Sequence, residues 1–146
     1  VKQAPPPPSG PFTATVPPGW TAKAGSSKFL HHAFAGDGEV YLGQLGGGLK
    51  ATLDIWRSEL GQAAMTDQEY LALPQIAFLG EDALLLDSSG DFRSMSGKQI
   101  QGARLLVAAR SEGNTIVFCK LVGTKAEVDK QVDAFRAFCA SVRRVP

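Results

Sequence analysis

The sequence predicts an α+β domain in which a mostly antiparallel β-sheet carries helices on both faces, an α/β/α sandwich. Three observations lead there. Strand-patterned runs are joined by short glycine-bearing turns, the connection that antiparallel strands use. Leu49 to Leu60 and the segment after Thr124 each place apolar residues on one side of a 3.6-residue repeat. Strands and helices do not alternate one for one, as a parallel βαβ sheet would need.

Composition bounds the reading. The chain has 146 residues, 44% hydrophobic and 20% charged, the profile of one globular domain. A chain of this size buries roughly 68–70% of the surface its unfolded form exposes and needs no staple to fold. Fifteen Lys plus Arg against fourteen Asp plus Glu leave a net charge of +1. Nucleic-acid binding needs clustered positive charge, so no nucleic-acid partner is expected. Arg143 and Arg144 are read as solvated tail charge rather than a membrane or polyanion contact. No apolar run approaches the ~18 residues of a spanning helix, so no transmembrane segment is expected. Because the chain opens on Val1, it reads as a trimmed product, either a mature exported form or one lacking its leader.

Residues 1–11, VKQAPPPPSGP, form a Pro-rich disordered tether ahead of a single domain at 12–146. Proline lacks a backbone donor and fixes φ, so Pro5 to Pro8 predict an extended polyproline spacer. That layout suits an exported lipoprotein whose lipid anchor lies upstream of residue 1 and holds the domain off a surface. Phe12 to Val16 alternates as a strand before the Pro17-Pro18-Gly19 turn into Trp20. Phe29 to Ala35 and Glu39 to Leu45 are strands joined by Gly36-Asp37-Gly38, whose residues tolerate positive φ. Gly46-Gly47-Gly48 breaks the strand. Leu49, Leu53, Trp56 and Leu60 then mark one helical face, which Gly61 ends. Thr66-Asp67-Gln68-Glu69 is a capping box with Met65 and Tyr70 as its hydrophobic staple, and Pro74 stops that short helix. Strands are expected at about 75–79, 82–90, 103–110 and 114–122, the last two joined at Glu112-Gly113-Asn114. Thr124 and Glu127 make a second capping box, opening one helix with the stripe Val128, Val132, Phe135, Cys139 and Val142.

Pro17-Pro18-Gly19-Trp20 after the first strand, the triple-glycine break into a helix bearing Trp56-Arg57, and the closing amphipathic helix together resemble the PsbP-like family. The similarity covers roughly residues 11–144 and is greatest to small exported bacterial members. The resemblance implies the α/β/α sandwich that this family shares with the Ran-binding Mog nuclear-import factor. It also implies accessory or binding proteins rather than catalysts. No functional residue of the family carries over.

The candidate sites are few. His31 and His32 are the only imidazoles, and adjacent strand residues face opposite ways, so they do not serve one metal. Zinc wants three or four convergent ligands, and no such spacing occurs, so neither metal nor cofactor is expected. Cys119 and Cys139 come within disulfide range if the last helix folds back on the last strand. Such a bond would add roughly 3 kcal/mol by loop closure, but two buried thiols, small apolar groups at both positions, are the favoured reading. Gly47, Gly48, Leu49 and Lys50 set bare amides and a lysine at a helix start, an anion seat, although no Walker or dinucleotide pattern is complete. The same glycines equally permit a sharp turn and close helix–sheet contact. Residues 91–99 read as a long polar loop in which Phe92, Arg93, Met95 and Lys98 form a protein-contact patch, unless Phe92 folds inward as an anchor. Asp54, Glu59, Asp129 and Asp133 fall on the polar sides of the helices as solvated charges.

The function expected is an exported, periplasmic or membrane-tethered binding or assembly module of the cell envelope. It is non-catalytic, and its partner is a protein or envelope component. The alternative is a small-ligand carrier with an apolar pocket between sheet and helix near Trp20 or Trp56, which predicts a cavity of several hundred Å³ with a few convergent polar groups. A second alternative is a hydrolase-type enzyme using His31 or His32 with a distant carboxylate.

Overall fold

A computed structural model describes residues 12–22, 30–33, 38–94 and 97–144; of residues 22 and 30–33 it describes the backbone only. The Pro-rich 1–11 stretch, most of the Gly36-Asp37-Gly38 turn and Met95 lie outside the described residues. The strands are β1 (Phe12–Thr13), β2 (Thr21–Ala22), β3 (Leu30–Ala33), β4 (Glu39–Gly46), β5 (Gln75–Phe78), β6 (Glu81–Arg93), β7 (Gln99–Glu112), β8 (Thr115–Thr124) and β9 (Arg143–Arg144). The helices are α1 (Leu49–Ser58), α2 (Asp67–Leu71), α3 (Lys125–Asp129) and α4 (Val132–Ser141).

Seven strands form one sheet in the order β2-β3-β4-β8-β7-β6-β5, every pairing antiparallel. After β4 the chain crosses the sheet through α1 and α2 to its far edge. It then returns strand by strand until β8 pairs with β4 in mid-sheet. Alternation sorts the side chains to two faces. One face gathers Val40, Leu42, Leu106, Ala108, Val117, Cys119 and Leu121 under Phe135, Phe138 and Cys139 of α4. The other gathers Leu105, Val107, Ala109, Ile116 and Val122 under Leu53 and Trp56 of α1. Both amphipathic stripes therefore lie on the sheet, on opposite faces, and the α/β/α sandwich is the observed architecture.

Three local expectations are corrected. The final helix is two, because the chain breaks at Gln131 (φ −103°, ψ 1°), whose side-chain oxygen accepts from Trp20 Nε1 at 2.8 Å. Thr124 caps the first of them by accepting from the Glu127 amide. Residues 91–99 are not a long loop: β6 runs to Arg93 and β7 starts at Gln99, and the Ser94 amide donates to the Lys98 carbonyl between them. Arg143 and Arg144 are exposed, as expected of solvated charges, but they are a strand rather than a tail. They pair with Thr13 and Phe12 in a two-stranded sheet, where the Arg144 guanidinium lies 5.0 Å over the Phe12 ring and bonds Glu112.

Two features set the position of the long β6–β7 hairpin. Between the pairs Gly90↔Ala103 and Phe92↔Ile100 the register shifts, β7 holding one residue more than β6. Gly102 takes φ 62° there, and its amide donates to Asp91. Such a bulge bends the ladder while keeping Phe92 and Ile100 on the α1 side. Gly90 lets α1 approach closely: a Cβ there would sit 2.2 Å from the Leu60 carbonyl oxygen. The Arg93 amide donates to the Glu59 carbonyl at 2.8 Å and Gln62 Nε2 to the Ser89 carbonyl at 2.7 Å, which stitches the end of α1 to the hairpin.

Candidate functional site

On the α1 face, beyond the end of that helix, the sheet is left partly uncovered. Antiparallel register puts Glu39 of β4 opposite Val122 of β8, Tyr41 opposite Lys120 and Gly43 opposite Phe118, with Leu45 two residues further along β4 on the same face. Apart from Gly43, these residues floor a cleft of about 390 Å³, walled by Trp56 from α1 and by Phe92, Ser94 and Lys98 from the hairpin tip. The bulge and Gly90 carry Phe92 to this position. Trp56 leans on Phe118 with ring centroids 4.9 Å apart and planes inclined by 56°.

The polar groups form two ion pairs. Lys98 Nζ bonds Glu39 Oε2, which ties the hairpin tip to β4 across the cleft. Lys120 Nζ is 3.2 Å from Glu59 Oε1, with side chains only 12% and 14% exposed. Its ammonium also stands 5.1 Å from the Trp56 centroid and 5.9 Å from that of Phe92, where ring faces favour a cation. Burial lowers the Lys120 pKa below the ordinary lysine value, against the opposing pull of Glu59 and Glu39. Tyr41 is pushed up to about 12 by burial and by the charge and hydrogen bond of Glu39, with Glu59 adding to it. It is therefore a neutral phenol throughout the physiological range.

The sequence-predicted sites fall as follows. Phe92 is buried in the cleft wall and Lys98 is bound to Glu39, while Arg93 is exposed on the outer side of the hairpin. Gly48 is the N-cap of α1 without a side-chain cap, and Gly47 takes φ 121°. Lys50 reaches one turn along the helix to Asp54 at 2.9 Å, so the lysine and the glycine amides do not converge on one point. Asp54 is not a merely solvated charge: it also accepts from the Met65 amide at 2.8 Å, fixing the start of α2. Burial alone would raise its pKa, but the Met65 amide and Lys50 outweigh that and hold it below the ordinary carboxylate value. Glu59 and Asp129 likewise have fixed partners, Lys120 for the first and Arg104 with Lys125 for the second. Cys119 on β8 and Cys139 on α4 are both free and buried, and they interact. Burial, then the bond and charge of Cys139, pushes the Cys119 thiol well up. His31 is registered opposite Tyr41 and His32 opposite Val40, but their side chains lie outside the described residues. Trp20 is packed against Phe138 at 5.0 Å, so it is Trp56 that borders the cleft.

No family model and no curated protein matches the sequence. Solved structures do share the fold. One is a protein of Bacteroides thetaiotaomicron, 16% identical, with a TM-score of 0.53 over 95% of this chain and 47% of that one. This chain thus spans about half of that protein's length. Another is LpqN of Mycobacterium tuberculosis, described as involved in cell envelope biogenesis. It is 13% identical, with a TM-score of 0.51 over 95% of this chain and 86% of that one. At such identities the likeness is one of fold. No helix among the described residues is long and apolar enough to cross a membrane.

The sequence reading put a pocket near Trp20 or Trp56, singled out Phe92 and Lys98 as a protein-contact patch, and missed Tyr41, Glu59, Phe118 and Lys120 as a group. Alternation alone places Tyr41, and Phe118 with Lys120, on single strand faces. What assembles them is the β4–β8 register, which no local pattern announces.

Proposed function

We propose that this chain is a non-catalytic binding module of the cell envelope whose binding site is the Trp56 cleft. The cleft itself carries the reading: about 390 Å³, bounded by Tyr41, Trp56, Phe92 and Phe118 with polar groups converging between them. Small-molecule sites have this build, with volumes of roughly 300–1,000 Å³ and mostly apolar walls. The shared fold with LpqN supports an envelope role. The Pro-rich 1–11 stretch supports an exported, tethered arrangement with a lipid anchor upstream, and the resemblance to small exported PsbP-like proteins points the same way.

The test is a ligand screen on the full chain by ¹H–¹⁵N NMR, using a panel of neutral, acidic and apolar compounds. Shifts centred on Trp56, Lys120 and Phe92 are expected for at least one compound class. A panel that leaves those signals still, or moves only signals on the α4 face, refutes the proposal.

A further inference from the structure

The polar pairs of the cleft discriminate between classes of ligand. An anion would meet no net positive charge, because each of the two ammonium groups already has a carboxylate beside it, Glu59 for Lys120 and Glu39 for Lys98. A wholly apolar ligand would cover the polar ends of Tyr41, Lys98 and Lys120 and offer them no hydrogen bond. What remains is a neutral ligand with donors and acceptors side by side. A hydroxyl does both, accepting from a lysine ammonium while donating to the adjacent carboxylate. The walls add a second condition. Trp56 and Phe118 are inclined at 56° and form no parallel slot for a flat heteroaromatic ring. A puckered ring needs only apolar contact for its C–H edges, which the aromatic rings lining the cleft supply.

We infer that the cleft takes a neutral polyhydroxylated ring, a saccharide unit, on the juxtaposition of Lys98–Glu39, Lys120–Glu59 and Tyr41 with the aromatic walls of Trp56, Phe92 and Phe118; this rests on the ligand-site reading above. The space holds roughly a dozen waters at about 30 Å³ each, enough for more than one small ring. Such a ring comes either from a free glycan or from a glycolipid headgroup, and both present the same chemistry.

The experiment titrates the full chain with maltotriose and with tri-N-acetylchitotriose, following tryptophan fluorescence and NMR. In parallel it measures sedimentation with phosphatidylcholine vesicles with and without a galactolipid. Indole-3-acetate and laurate serve as the anionic aromatic and acyl probes. Saturable binding of either free sugar, or binding confined to galactolipid vesicles, is the expected result; the first marks a free glycan and the second a lipid-borne one. Tyr41→Phe should weaken that binding roughly three- to tenfold, the worth of one hydrogen bond. Trp56→Phe, which keeps an apolar wall, should weaken it as well. Binding of indole-3-acetate or laurate in the cleft while every sugar fails overturns the saccharide class and leaves a ligand site standing. Silence from all the probes overturns the ligand site too.

Discussion

Replacing Gly90 with alanine should damage the fold out of proportion to one methyl group. The new Cβ would lie 2.2 Å from the Leu60 carbonyl oxygen and 3.2 Å from both its carbonyl carbon and its Cβ. Even a weak C–H···O contact keeps 3.3–3.6 Å, so the overlap is about 1 Å. The obstacle is backbone and cannot swing aside. Leu60 is held by its own amide on the Arg57 carbonyl at 2.9 Å, and flanking bonds join Glu59 to Arg93 and Gln62 to Ser89. Relief requires the end of α1 to lift from β6. Overpacking of this kind costs about 1–3 kcal/mol, and losing one or both stitching bonds adds roughly 0.5–1.5 kcal/mol each. The total of about 1.5–6 kcal/mol corresponds to a fall in Tm of roughly 5–20 °C for a chain of this length. Urea denaturation and calorimetry measure it, with Gly46→Ala as the control, since nothing lies within 4 Å of a Cβ at that position. Gly46→Ala should stay within about 0.5 kcal/mol of wild type. A Gly90→Ala protein equally close to wild type would refute the close-approach argument.

Other perturbations probe the same region. The folded state keeps the Tyr41 proton to about pH 12, whereas the unfolded chain releases it near the ordinary value of 10. Stability should therefore fall as pH rises from about 10 to 12 and be untouched by this group below that window. Tyr41→Phe should remove that component, together with a phenolate absorbance appearing only near pH 12. Glu59→Gln leaves Lys120 buried without its carboxylate and should destabilise by roughly 3 kcal/mol, whereas the double change Glu59→Gln with Lys120→Met should recover part of it. Urea curves of the three variants decide this, and full additivity would contradict direct pairing. For the cysteines, native chain at neutral pH should not react with a thiol reagent, and denatured chain should show both free thiols. A reading of none in denaturant would mean they are bridged.

How far the sequence was legible depended on whether the signal was local. The helical face of Leu49, Leu53, Trp56 and Leu60 was readable because four apolar residues on one stripe have one cheap destination, a sheet. The full capping box at Thr66–Glu69 was readable because it is a contact over three residues. The β6–β7 hairpin was read too short, with β6 stopped near residue 90 and β7 begun near 103, because Asp91 and the Ser- and Gly-bearing stretch after it look like loop chemistry. The Asp91 carboxylate is instead met across the hairpin by the Gly102 amide, a partner that no local pattern shows. The break at Gln131 was hidden for the same reason, since its partner, Trp20, is far away in sequence. The cleft was legible only in outline. A pocket beside a tryptophan was one expectation, but the grouping of Tyr41, Glu59 and Lys120 depends on which strand lies beside which.

The seam between β4 and β8 also bears on the order of folding. β5 to β8 form a run of strands joined by tight local turns, which close quickly because their loops are short. β4 precedes them and can dock only when β8 is in place, since Leu42 must find Cys119 across the whole intervening meander. Joining them should be the late, slow step, with low φ-values in β4 and higher ones in the β6–β7 hairpin. A nascent or partly unfolded chain would then hold most of its sheet and yet have nowhere for a guest to sit.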